Sequence, residues 1–461
     1  MYRISILLAA IILFSVFDAD AQRRATTYET LLQRTDRPSA YTDHIILPAS
    51  DTTAQFTVIF RLDYDFLPFL RARTNMTTPR PEAEYFAPLR MGLEVFEGQA
   101  PTSRRSSTGT PVFRDSWQDT LWVDTFEETK SRFDYTQGYI HSTLNEGQYH
   151  YELQLARAGS IREQSSSRRN FSVENYKVSE RADFILLSDL DVSENSLTAT
   201  LLNYGNNVLY GQDYSLLIKI PAETTLDAET FTLNLHRLGV GGSDDGEIRY
   251  STEITNDNII HLTSADVFKN DGNISVRADL SNEGIRYAYV EIPNQEFENA
   301  RYRLRLMAEG RESPVGERTL NSEWLDMPVS LYNLDVAIEM LRFIVNDSEL
   351  RRINSGSSSE RERKFREFWA ERDPTPDTEF NELMAEYYRR IDYAYSNFSS
   401  LQVPGYETDQ GKAYILYGPP VNVERRLPPN APTREVWEYP NRTLIFEATT
   451  GFGDFRLVSE S

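Results

Sequence analysis

The hydrophobic period changes along this chain, and each change limits what that part can fold into. Up to about residue 330 the dominant period of the apolar residues is two. Phe56, Val58, Phe60 and Leu62 alternate with Gln55, Thr57 and Arg61, and Met91, Leu93 and Val95 do the same. So do Tyr149, Tyr151, Leu153 and Leu155. Successive side chains of a strand point to opposite faces, so a period of two describes strands with one face in a core. Turn-rich stretches separate these strands, and few windows have helical spacing. The expected architecture is a pair of antiparallel, Ig-like β-sandwiches.

The case for two rests on a repeated local pattern. Leu144-Asn-Glu-Gly147-Gln-Tyr149 leads straight into an alternating strand, the pattern of a tyrosine corner, in which a Tyr hydroxyl bonds nearby backbone. A weaker echo runs from Phe297 to Tyr302, followed by Leu304 and Leu306. The Ser-rich, charged stretch from Gly159 to Glu180 lies between them and reads as a boundary. The expected domains are therefore residues 22–178 and 179–330, the alternative being one long sheet with insertions.

Beyond Trp324 the period becomes about 3.6. Leu334, Ala337, Ile338, Leu341 and Ile344 form one helical stripe. Ser359 and Glu362 read as a capping box ahead of Phe365, Phe368 and Trp369. Pro374 disfavours helical geometry at Asp373, and Thr375-Pro376 then reads as an N-cap and first helical position. The most regular stripe follows: Phe380, Leu383, Met384, Tyr387, Tyr388, Ile391, Ala394, Tyr395 and Phe398. After Pro404 strands are expected at residues 412–417, 435–439, 443–448 and 454–458, with Gly418-Pro419-Pro420 closing the first. The predicted C-terminal module, residues 331–461, is α+β: about three helices, then a small antiparallel sheet under the last of them.

The first residues address compartment. Arg3 precedes an apolar run from Ile4 to Phe17, and Ala19-Asp20-Ala21 supplies small residues where a signal peptidase reads. Residues 1–21 read as a signal peptide cut before Gln22. The run is shorter than the ~20 residues a spanning helix needs. The expected location is the periplasm, the outer-membrane surface or the cell exterior. The chain has no cysteine, which removes disulfides, thiolate nucleophiles and Cys-ligated metals from an exported protein. A net charge of −22 argues against a nucleic-acid partner.

One segment resembles a known family. Gly405-Tyr406-Glu407-Thr408-Asp409-Gln410-Gly411, then the run ending in Gly418-Pro419-Pro420, then Val436-Trp437-Glu438-Tyr439, are similar to the signature of the GWxTD domain family. The likeness extends over roughly residues 324–458, with Phe368-Trp369 and Asp373-Pro374-Thr375-Pro376 in matching order. Tyr406 stands where the family name has Trp. The resemblance implies an exported bacterial protein and carries no activity with it. Read physically, Gly405 and Gly411 suit places closed to a Cβ. Thr408 and Asp409 can bond their own turn. Tyr406, Trp369 and Trp437 are expected core aromatics. The competing reading makes residues 405–409 the rim of a ligand or peptide site.

Chemistry-bearing residues are sparse. All five His (His44, His141, His150, His236, His261) lie before residue 331, widely spaced, so no metal pair and no Ser-His-Asp set falls in the C-terminal module. Asp373, Asp377, Glu379 and Glu382 cluster near a helix start, where acids complement the dipole. Asn270-Asp271-Gly272-Asn273 and Ser243-Asp244-Asp245-Gly246 are calcium-like but also ordinary turn sequences. No catalytic residue, metal or cofactor is assigned. Two functions remain: a non-catalytic binding or scaffold protein of the envelope, whose partner is another envelope or extracellular protein or a cell-wall component, and a carboxylate-dependent hydrolase of an extracellular polymer.

Overall fold

A computed structural model describes residues 28–32 and 38–461 apart from 74–75, 80, 103–108, 132–133, 158–163, 223–229, 240–244, 401–402, 428–431 and 449–454. The signal-peptide reading of residues 1–21 lies outside the described residues, as does the Ser243-Asp244 part of the second calcium-like turn. Two compact units form. Residues 37–326 with 377–380 make a β unit, and the described residues of 1–36, 327–376 and 381–461 make an α+β unit. Among the described residues no helix is long and apolar enough to cross a membrane.

The alternating segments are strands, as their period dictates. Ala40–Pro48, Thr53–Asp63 and Tyr135–Asn145 form one antiparallel sheet. Tyr85–Glu97 and Gly147–Arg157 centre a second, joined by Phe113–Val123 and Arg169–Val173. Phe56, Phe60 and Leu62 of the first sheet share a core with Met91, Leu93, Tyr151 and Leu153 of the second. The Gly159–Glu180 boundary is corrected in part: Arg169–Val173 is a strand of this second sheet rather than linker.

The next region departs from two open sheets. Six strands (Asp183–Val192, Ser196–Leu201, Tyr214–Lys219, Ile259–Asn270, Asn273–Leu280 and Ile285–Ile292) close into a barrel, and a separate five-stranded sheet accompanies them. Phe184, Leu186, Leu216 and Ile218 pack with Leu233, Tyr302 and Leu304 of that sheet. Their neighbours Ile185, Leu187 and Leu217 serve a different core, shared with Ile45, Leu47 and Ile59. Strands buried on both faces read as continuous apolar runs, which is why residues 184–187 and 216–218 show no alternation.

That second core also corrects the half-buried reading of Thr53–Asp63. Its other face is covered too: Thr57 is fully buried and Arg61 is 6% exposed. Arg61 pairs with Asp63 at 3.4 Å and its guanidinium lies 3.4 Å from the Tyr135 ring centre and 4.3 Å from that of Tyr204. A buried cation needs such compensation. Both expected tyrosine corners form: Tyr149 Oη donates to the Asn145 carbonyl at 3.0 Å and Tyr302 Oη to that of Glu298 at 2.8 Å.

The α+β unit contains six α-helices among its described residues: α1 (Tyr28–Leu32), α2 (Leu334–Met340), α3 (Asp347–Ile353), α4 (Ser358–Ala370), α5 (Glu382–Phe398) and α6 (Asp409–Tyr417). Its antiparallel sheet runs in the order Asn422–Arg426, Arg434–Tyr439, Arg442–Ala448, Phe455–Glu460. Three sequence expectations move. The capping box falls at Ser357 and Glu360, two residues early. The N-cap of α5 is Asn381, not Thr375: its Oδ1 accepts from Met384 N at 2.7 Å while its Nδ2 closes α4 on the Trp369 carbonyl at 2.9 Å. Phe380 consequently leaves the stripe and packs within the β unit against Tyr210 and Trp324.

The largest correction is at residues 412–417, expected as a strand and found as helix α6. A five-residue apolar run, Ala413 to Tyr417, cannot be assigned by period alone. The Thr408 N-cap and the left-handed Gly418 (φ 77°) after the last turn decide it. Helix α6 therefore provides the cover that α5 was expected to give. Ala413 packs with Trp437, Leu444 and Phe446, and from α5 Phe398 joins them. The rest of the α5 face, including fully buried Tyr388 and Ile391, packs instead with Val336, Ile338, Phe365 and Trp369. Tyr387 and Tyr388 donate their hydroxyls to the Met340 and Ala337 carbonyls at 2.6 and 2.7 Å, which fixes α5 against α2.

Candidate functional site

The signature segment begins where α5 ends. Gly405 is buried against α5, and a Cβ there would lie 1.9 Å from the Ala394 carbonyl oxygen. A Cβ on Gly411 would lie 1.8 Å from the Gly405 carbonyl oxygen. Both glycines are thus required by close backbone approach, as the sequence reading held. Thr408 locks the turn: its hydroxyl donates to the Gly405 carbonyl at 2.7 Å and accepts from Gly411 N at 3.0 Å. The turn leads into a helix and not, as expected, into a strand.

Asp409 does not bond its own turn. Its Oδ2 accepts from Leu457 N at 2.9 Å, on the last strand of the sheet, 48 positions away. Gly418 donates its N–H to Tyr414 and accepts from Tyr439 Oη at 3.0 Å, while Pro419 and Pro420 carry the chain out of the helix. Trp437 is buried between Phe398 and Phe446, with ring centres 5.4 and 4.9 Å away. Gly405, Thr408, Asp409, Gly411, Gly418, Trp437 and Tyr439 are all engaged in holding helix α6 to the turn and to the sheet.

Tyr406 is the member of the signature that meets something unforeseen. Its ring is buried and faces Tyr395 and Phe343, with Arg342, paired to Glu407, 5.7 Å from its centre. Tyr28 of α1 completes the cluster, its ring 5.4 Å from Tyr406 and 4.8 Å from Tyr395. The Tyr28 hydroxyl donates to Asp392 Oδ1 at 2.6 Å, and Val329 N donates to Asp392 Oδ2 at 2.9 Å. Burial raises the Asp392 carboxyl from 3.8 to about 6, outweighing the two donated hydrogen bonds that pull it down. The same burial, with the carboxylate beside it, pushes the Tyr28 phenol well up. This corrects the domain expectation, which placed everything from residue 22 in the first sandwich. An Asp on a Tyr-rich helix stripe was the available signal; its partner 364 positions upstream had none.

The other candidates resolve into structure. Asp271 (φ 46°) and Gly272 (φ 82°) form a two-residue hairpin turn between paired Asn270 and Asn273, and Asn273 Oδ1 accepts from Gln137 at 3.1 Å. Asp373 accepts from Thr375 N at 3.0 Å, and Glu379 lies 3.8 Å from Arg249 within the β unit. His150 stacks on Phe96 and its Nδ1 lies 2.8 Å from the Gly98 carbonyl. His44 sits between Phe56, Tyr151 and Phe171, where burial lowers its pKa. It borders a polar cleft in which Arg318 pairs with Asp43 at 2.6 Å and Arg169 donates to the Thr42 hydroxyl at 2.8 Å. Among the described residues no group of three or more His, Asp or Glu is placed to hold a metal ion.

The family model of the GWxTD domain matches residues 329–453, so this segment carries that domain. No curated protein matches the chain.

Proposed function

We propose that the chain is an exported envelope protein that binds a partner and does no chemistry on it, the α+β unit docking another envelope or extracellular protein. The observation that carries this reading is the rim of the four-stranded sheet. All five residues of edge strand Asn422–Arg426 are exposed, and Val421, Val423 and Leu427 are 76, 50 and 74% exposed. Val423 pairs across from Trp437, so it lies on the core face but beyond the cover that α6 supplies. On the far edge Leu457 and Val458 are 38 and 52% exposed. Edge strands carrying apolar side chains are surfaces that partners cover by adding a strand. The engagement of the signature residues in internal bonds fits a scaffold rather than a reacting centre. The β regions are read as Ig-like spacers; the two tyrosine-corner bonds favour that.

A photo-crosslinker at position 421 of the mature chain, expressed in its own envelope, tests the proposal. One adduct of defined mass is expected, and Val423→Arg should remove it without unfolding the protein. Absence of any adduct, with polymer hydrolysis by the purified chain that a carboxylate substitution abolishes, would overturn the reading in favour of an enzyme.

A further inference from the structure

Helix α1 has five residues, too few to be helical in isolation, so its order comes from the surface it lies on. Tyr28 and Leu31, three apart and therefore on one face, are 2 and 3% exposed, while Thr30 between them faces solvent. Each anchor enters the core of the α+β unit. The receiving surface is assembled by that unit's own bonds: Asp392 is held by Val329 N, and Tyr395 stacks on Tyr406. The buried carboxylate offers an acceptor that the Tyr28 hydroxyl reaches at 2.6 Å and that a Phe in its place could not use. We propose that Asp392, Tyr395 and Tyr406 form a docking site for a short helical peptide of the pattern Tyr-x-x-Leu, and that residues 28–32 are its tethered, exchangeable occupant. The site is distinct from the sheet rim and goes beyond the partner reading above.

The signature aromatic is thus covered by the start of the chain. Two anchors and one hydrogen bond make a weak ligand in trans, but a tether supplies an effective concentration near millimolar and keeps the site filled. The hydroxyl on a carboxylate gives chemical selectivity, Tyr over Phe, by about tenfold.

The test uses the full mature chain with Tyr28→Ala and Leu31→Ala together, titrated with a labelled peptide of residues 25–34. The emptied chain should bind saturably with a dissociation constant of about 0.1 mM or below, well under the effective concentration of the tether. The native chain should bind at least tenfold more weakly, and a peptide with Phe for Tyr28 about tenfold more weakly than the parent. A folded, emptied chain that ignores the peptide, or equal binding by both chains, overturns the proposal. If the double variant does not fold, hydrogen exchange on the native chain decides. Excess peptide should speed exchange of the amides of residues 28–32, and unchanged exchange at saturating peptide refutes an exchangeable occupant. Concentration-dependent dimers of the native chain, lost in the double variant, would mean that a second copy fills the site and the tether does not.

Discussion

The Asp392 carboxyl should make the α+β unit more stable in mild acid than at neutral pH. Its folded-state value is raised, from 3.8 to about 6, so the unfolded chain gives up this proton more readily than the folded one. The stability it contributes is fully present below the unfolded value and is lost as pH rises through about 6. At about 1.4 kcal/mol per pKa unit the full difference is about 3 kcal/mol, of which 2–3 kcal/mol should appear between roughly pH 7 and pH 4. Other acids titrate over the same range, so the measurement is a difference. Urea unfolding of the native chain and of Asp392→Asn is followed from pH 4 to 7.5 by tryptophan fluorescence, with proteolysis to assign transitions to units. Relative to the Asn variant, the native α+β unit should gain about 2–3 kcal/mol as the pH falls. Tyr28→Phe removes a bond that favours the charged form, so it should move the transition to higher pH. A native-minus-variant difference that is flat with pH, or that grows toward neutrality, would refute the reasoning.

Two further outcomes follow from the packing and one from the sequence. Ile391→Ala empties a fully buried site of α5 and should cost ~2–5 kcal/mol, lowering the urea midpoint of the α+β unit and not of the β unit. Asp409→Ala leaves Leu457 N without its acceptor and should cost about 1 kcal/mol, with faster hydrogen exchange confined to the last strand. Amino-terminal sequencing of protein taken from the envelope should begin at or near Gln22, and an intact Met1 there would remove the export reading.

What the sequence made legible was local. Alternation marked strands wherever one face is buried, and it failed at Thr57 and Arg61, where a second core covers the polar side. The two tyrosine corners were readable because each bond spans four residues. The signature glycines were readable as close approaches, although the partners of those approaches, Ala394 and Gly405, were not. Helix α6 was misassigned because its run of Ala413, Tyr414, Ile415, Leu416 and Tyr417 satisfies a strand as well as a helix. The deciding information was at its ends, Thr408 and Gly418, nine helical residues apart. Capping chemistry outranks propensity when the apolar run is short.

The bonds the sequence hid share one property: a polar atom is satisfied by a partner far along the chain. Asp409 reaches Leu457 N, 48 positions on, and Asp392 reaches Tyr28, 364 positions back. In each case a carboxylate takes a hydrogen bond that no local turn could supply, and in each it joins elements that the chain order separates. Asp409 ties the signature helix to the sheet edge; Asp392 ties helix α5 to α1. Bonds of this kind add little to helix or strand formation, which capping and burial already drive. They determine which segments share a unit. For that reason Asp392→Asn and Asp409→Ala should leave the secondary structure intact by circular dichroism while loosening α1 and the last strand respectively. A loss of helix signal in either variant would show that these carboxylates support local structure after all.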